Sequence, residues 1–177
     1  MSINNKKKAI KKILLGCNIV FISRTLNMIE INFKKNDIEY RCHIQCYFRI
    51  RQNNIILTSN QDIYKHENIR IKNPYDYSTS ERKSRFDHII KNKQEIYLNK
   101  IIQEVIINDC LDMYIVLENN IILEILNDNY GGEIWRLFQF YYHFEEELND
   151  LPKDYVAFID NNGKTYFLRQ STRKTII

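Results

Sequence analysis

Hydrophobic and polar residues alternate along this chain with period two more often than with the helical period, so strands dominate the reading. Ile19 and Ile22 mark a first strand, and Met28 to Phe33 a second with Ile29, Ile31 and Phe33 on one face. After the turn Lys34-Lys-Asn-Asp37, Ile38 to Ile50 reads as one long strand. Tyr40, Cys42, Ile44, Cys46 and Phe48 share one face, and Arg41, His43, Gln45, Tyr47 and Arg49 the other. Gln52-Asn-Asn54 turns the chain into a strand at Ile55 to Leu57. Between Lys100 and Phe138 the pattern predicts three strands (Ile102 onward, Leu111 to Leu117, Ile121 to Leu126) and then a helix from Glu133 to Phe144. Tyr155 to Ile159 and Thr165 to Leu168 flank Asp160-Asn-Asn-Gly163, a hairpin signal.

Helical spacing is rarer. Ile10, Ile13 and Leu14 at i, i+3, i+4 make a short helix that docks on the core. Ser84 to Asn99 reads as a helix opened by Ser84 with Asp87 three residues on, and Phe86, Ile89, Ile90, Lys93 and Tyr97 line one face. Asn60 to Ser84 has no period. It carries Tyr64, Tyr75 and Tyr77, and its length marks a functional loop.

The two halves echo one another. Ile19-x-x-Ile22, Met28-x-x-Ile31-x-Phe33 and Cys46-Tyr-Phe-Arg49 match Ile102-x-x-Val105, Leu111-x-Met113-x-Ile115-x-Leu117 and Glu133-Ile-Trp-Arg136. The expected fold is α+β: an antiparallel sheet built from two pseudo-repeated β-β-β units, with helices on one face and a C-terminal hairpin. The expected organisation is a basic leader (1–13), one domain (14–170) with pseudo-repeats 14–99 and 100–150 and the hairpin at 155–169, and a tail (171–177).

Composition adds a bias towards Ile and Asn with very little Ala, the signature of an AT-rich genome and a further push towards strands. No apolar run reaches the roughly 18 residues of a membrane helix. The basic opening is followed only by the patch Ile13-Leu-Leu15, so the reading is a cytoplasmic protein with no membrane association. The net charge of +4 hides an asymmetry: residues 1–100 carry 20 Lys and Arg against 9 Asp and Glu, residues 101–177 carry 6 against 13. The halves present opposite faces only if they do not interleave in space.

Candidate chemistry is sparse. Cys42-His43-x-x-Cys46 lies on a predicted strand, where positions i and i+4 stand roughly 13 Å apart and His43 faces away, so no metal is expected there. Four glycines exclude a phosphate loop or a dinucleotide fingerprint. No catalytic residue, metal or cofactor is assigned. A metal-dependent hydrolase using Asp109, Asp112, Glu118, Glu124 and Asp128 is the third reading. The polar face with Arg41, Tyr47, Arg49 and Arg51 interleaves Arg with aromatics, which suits a protein interface or single-stranded nucleic acid. With Tyr64, Tyr75 and Tyr77 these are the candidate partner-binding residues. The basic stretch Lys6 to Lys12 would join them on nucleic acid.

Several short motifs resemble a group of small bacterial proteins that are similar to immunity proteins encoded beside polymorphic toxins. They are Leu15-Gly16-Cys-Asn-Ile19, His43-Ile-Gln-Cys46-Tyr-Phe-Arg49-Ile50, Ser59-Asn-Gln-Asp62, Phe86-Asp87 and Glu133-Ile-Trp135-Arg136, spread over residues 14–140. The chain departs from the pattern at Tyr47 and Phe48, where Pro and Trp are expected. The resemblance implies a non-enzymatic inhibitor whose partner is a protein, such as a cognate toxin, with Trp135 in the core and Arg49 and Arg136 as repeat-related ion-pair donors. A nucleic-acid-binding module is the alternative.

Overall fold

The computed structural model describes residues 3–65, 84–127, 133–140, 156–160 and 165–168. They form helix α1 (Ile3–Leu14), strands β1 (Asn18–Thr25), β2 (Met28–Lys35), β3 (Ile38–Ile44), β4 (Tyr47–Gln52) and β5 (Ile55–Ser59), and a 3-10 turn at Asn60–Tyr64. Helices α2 (Arg85–Asn92) and α3 (Gln94–Tyr97) follow, then β6 (Ile102–Ile107), β7 (Met113–Leu117), β8 (Ile121–Leu126), β9 (Glu133–Phe140), β10 (Val156–Asp160) and β11 (Thr165–Leu168). The fold is α+β and its sheets are antiparallel, as the alternation predicts.

The strands divide between two sheets. The first has the order β1-β2-β3-β9, extended at β9 by the β10-β11 hairpin; the second has the order β5-β4-β8-β7-β6. Two expected elements are corrected by this. The long strand Ile38 to Ile50 breaks at Gln45 and Cys46, so that β3 lies in one sheet and β4 in the other. Ile44, Cys46, Phe48 and Ile50 are all buried, so the period-two pattern runs through the break and gives no sign of it. The helix expected from Glu133 is β9, inserted between β3 and β10; residues 141–144 of that expectation lie outside the described residues. Its Ile134, Leu137 and Phe138 have helical spacing, but Trp135 and Leu137 sit on one pleat face. Pairing on both edges decides in favour of the strand. The helix expected at Ser84 to Asn99 is also divided, because Lys93 (φ −120°, ψ 26°) separates α2 from α3.

The two halves trace the same path. Each is a helix, a three-stranded meander, and a fourth strand that leaves its own sheet to pair with the third strand of the other meander: β4 with β8, and β9 with β3. Helices are exchanged as well, since α1 packs on β6 and α2 on β1. The first strands of the two halves meet reciprocally. Gly16 N donates to Ile102 O (3.0 Å) and Asn99 N to Ile19 O (2.8 Å); Ile102 N donates to Cys17 O (2.8 Å) and Ile19 N to Lys100 O (3.2 Å). Residues 16 and 99, 17 and 100, and 19 and 102 thus exchange roles, as in a two-fold interface within one chain. Gly16 (φ 79°) and Asn99 (φ 58°) adopt the left-handed conformation at equivalent corners, which Gly and Asn tolerate better than other residues.

The inner faces of both sheets and the apolar sides of the helices share one core. Phe33, Phe48, Phe86 and Trp135 are wholly buried, as are Ile10 and Leu14 of α1. Trp135 also donates its indole N–H to Leu111 O (3.1 Å), so the largest core residue leaves no polar atom unmet.

Candidate functional site

The outer face of the second sheet carries the strongest site-like arrangement. Cross-strand register aligns Arg49, Glu124, Tyr114 and Ile106 in one row, and Ile56, Arg51, Ile122, Val116 and Glu104 in the next. Tyr47 stands opposite Leu126 beside the first row. Cross-strand partners point to the same side of a sheet, so these side chains form one surface. Ile56 and Ile106 are exposed and the others lie between buried and exposed, except Glu124 and the exposed Glu104.

Glu124 is 3% exposed, the most deeply buried carboxylate of the described residues. It accepts from Arg49 Nε through Oε2 and from Arg51 Nε through Oε1 (2.7 Å). Arg51 also donates from Nη1 to Asn53 O (2.6 Å). One carboxylate thus fixes two guanidiniums on a mixed apolar and aromatic surface. The hydrogen bond to Glu124 is the main reason that the pKa of Arg49 is raised, so its charge is held firmly. Tyr114 is pushed above the usual phenol value, first by burial and then by the nearby Asp112 and Glu124.

At the equivalent place in the first sheet, Arg136 of β9 stands opposite His43 of β3, as Arg49 of β4 stands opposite Glu124 of β8. Arg136 donates to His43 Nδ1 from Nε (3.2 Å), and its Nη2 lies 2.9 Å from the same nitrogen. An Nδ1 that accepts places the proton on Nε2, which lies 3.4 Å from Glu30 Oε2. Glu30 also pairs with Arg41 (3.3 Å). Burial first, and then the positive Arg136, hold the His43 pKa below the ordinary histidine value. The ring of Phe138 meets His43 edge-on at 4.9 Å.

The predicted site residues are therefore only partly brought together. Tyr47, Arg49 and Arg51 share the outer face of the second sheet. Arg41 belongs to the first sheet, because the chain crosses between sheets after Ile44. Tyr64 is 63% exposed at the end of the 3-10 turn. Tyr75 and Tyr77 lie outside the described residues. Sequence reasoning missed Glu124 as a binding-face residue; its only signal is a single acid inside the apolar run Ile121-Ile-Leu-Glu-Ile-Leu126.

The acidic set of the hydrolase reading is dispersed on other duties. Asp109 pairs with Lys7 (2.8 Å), and Asp112 accepts from Asn108 and from Asn127 N (2.7 Å) to close a turn. Asp128 lies outside the described residues. Among the described residues no three His, Cys, Asp or Glu side chains are grouped to hold a metal ion. Cys42 and Cys46 are buried in the core. The cluster Ser84, Asp87 and His88 is a helix cap: Ser84 N donates to Asp87 Oδ2 (2.8 Å) and Asp87 N to Ser84 Oγ (3.3 Å). Ser59 and Asp62 are paired in the same way at the 3-10 turn (3.2 Å). Arg85 N donates to Lys65 O (2.6 Å), which ties the start of α2 to the end of the 3-10 turn. Among the described residues no helix is long and apolar enough to cross a membrane.

No family model, curated protein or solved structure matches this chain.

Proposed function

We propose that this chain is a non-enzymatic binding protein that covers a protein partner with the outer face of its second sheet, as a cytoplasmic inhibitor of the immunity-protein kind would. The observation that carries this reading is the buried Glu124 carboxylate holding Arg49 and Arg51 in place among Tyr47, Tyr114, Ile56 and Ile122. Arg and Tyr set in an apolar surface are the residues on which interface energy concentrates. Guanidiniums already fixed lose less freedom when a partner binds. The inhibitor aspect rests on the resemblance of the motifs quoted above, and the motif residues themselves are structural: Trp135 fills the core, and Ser59, Asp62 and Asp87 make caps.

The nucleic-acid reading is weaker, because the arginines of β1, β3 and β4 face carboxylates: Arg24 faces Asp87, Arg41 faces Glu30, and Arg49 and Arg51 face Glu124. A tagged pull-down from the native host at low and at about 0.5 M salt separates the two, since phosphate contacts weaken steeply with salt. One protein retained at high salt by the natural chain and lost with Arg49→Ala/Tyr114→Ala supports the proposal. Nucleic acid recovered only at low salt would replace it.

A further inference from the structure

The outer face of the second sheet carries an uneven charge pattern. Its two guanidiniums share one carboxylate, since Arg49 and Arg51 both meet the buried Glu124. One positive charge is therefore left over at the centre. The neighbours in the register are uncharged: Ile56 and Ile122 stand on either side of Arg51, Tyr114 lies beyond Glu124, and Tyr47 is two residues before Arg49 on β4. The acids lie outside this ring. Glu104 is at the β6 edge, three strands from Arg51, or roughly 14 Å at the usual strand spacing. Asp112 precedes β7 and is engaged with Asn108 and Asn127, and Glu118 follows β7 at its other end.

The guanidiniums are also under-used. Arg51 donates to Glu124 and to Asn53 O, and Arg49 to Glu124 with a further bond to Tyr47. A guanidinium has five N–H donors, so most of those on this pair have no acceptor among the described residues. The two side chains are 32% and 29% exposed, and water can serve their donors while the face is open.

Covering the face changes that balance. A purely apolar partner surface would strand the surplus charge and its donors away from water, a cost that apolar contact does not offset. A polyanion fails in the other direction, because its successive phosphates place further charges over Ile56 and Ile122 and towards the acids of the rim. A single carboxylate neutralises the centre, and its two oxygens match the planar fork of a guanidinium. We infer that the protein partner of this face presents one acidic side chain, ringed by apolar ones, to Arg49 and Arg51, completing a neutral cluster of two guanidiniums and two carboxylates. The inference rests on the reading of this face as a protein-binding surface.

The test selects binders to the full chain from a displayed library of a small three-helix bundle with one face randomised. Binders that lose affinity for the Tyr114→Ala chain occupy this face; if that chain lacks a cooperative thermal transition, Ile56→Ala, at a position 53% exposed, takes its place. These binders should carry one Asp or Glu among apolar randomised residues. Changing that acid to its amide should weaken binding about thirtyfold or more, the low end for an interfacial charge pair deprived of one member. Selection on Arg51→Gln, whose centre has no surplus charge, should return binders to the same face without the acid. Binders to this face of the natural chain that lack an acid, or that lose less than about threefold with the amide, the size of an exposed ion pair, would overturn the inference and leave the face a binding surface. Oligothymidylate that binds the chain and displaces these binders would overturn it in favour of phosphate. No binder at all, or only binders indifferent to both alanine variants, would remove the reading of the face and the inference with it.

Discussion

Glu124 is asked to be an anion in a place that is nearly dry, and it is kept there by two cations. Glu124→Gln keeps the shape and removes the charge, leaving Arg49 and Arg51 to share a neutral amide. Hydrogen bonds to charged groups contribute about 1.5–3 kcal/mol each, but both guanidiniums are close to a third exposed and water recovers part of the loss. The expected cost is about 2 kcal/mol in a urea titration; a cost below roughly 0.5 kcal/mol, the size of an ordinary surface change, would mean that the pair is not a structural anchor. His43 makes the opposite kind of prediction. Its folded pKa is depressed, so between that value and about 6.5 the unfolded chain holds a proton that the folded chain refuses. This contribution to stability is complete above about pH 6.5 and declines as the pH falls from there towards the folded pKa. His43→Gln can still accept from Arg136 and donate towards Glu30. The drop in urea midpoint between pH 7.5 and 5.5 should therefore be smaller in the variant; an equal drop would assign it to other groups.

At the scale of the element, the corners between helix and first strand are the positions where residue type decides most. At Gly16 an added Cβ would meet the end of the Lys35 side chain, Nζ at 3.6 Å and Cε at 3.7 Å, both ordinary contacts, so a substitution there costs backbone strain and not space. Gly16→Val should cost about 1–2 kcal/mol, the price of a left-handed conformation for a branched residue. Gly16→Asn should cost clearly less, as Asn99 already holds the equivalent corner. Equal thermal midpoints for the two variants would refute the equivalence. Much of this level is legible in the sequence. Ile29, Ile31 and Phe33, or Met113, Ile115 and Leu117, announce strands because each buries one pleat face against the core. Ile10 and Leu14 announce a docked helix, and Ser84 with Asp87 its neighbour's cap. What local pattern cannot carry is which sheet a strand joins. Cys46 continues the alternation of Ile44 across the crossing, and Ile134 and Leu137 fit a helix until β3 and β10 claim both edges of β9. The binding face is half legible for the same reason: Arg49 and Arg51 declare themselves, but the burial of Glu124 between them comes from β8 lying beside β4.

At the scale of the whole molecule, the exchange of fourth strands and helices binds the halves into one cooperative unit. It also mixes their charges: Lys7 pairs with Asp109, and Arg49 and Arg51 with Glu124, each bond joining the basic half to the acidic one. A fragment ending before residue 84 would keep the meander β1-β2-β3 but leave the edge of β3 without β9 and β4 without β8. Its buried isoleucines would face water, and α1 would lose β6. The fragment from residue 84 is deprived in the mirrored way, its β8 lacking β4 and its α2 lacking β1. Each half therefore supplies surface that the other needs in order to bury a core. Cutting the chain at one bond between residues 65 and 84 and separating the pieces should give two fragments without cooperative thermal unfolding by circular dichroism. Mixed in equal amounts, they should regain strand signal and unfold in one transition whose midpoint rises with concentration, because association is then part of folding. A fragment 84–177 that folds alone with a sharp transition would show that the exchange is a packing of two independent units, and the two-fold meeting at Gly16, Ile19, Asn99 and Ile102 would then be an interface between domains and not the centre of one.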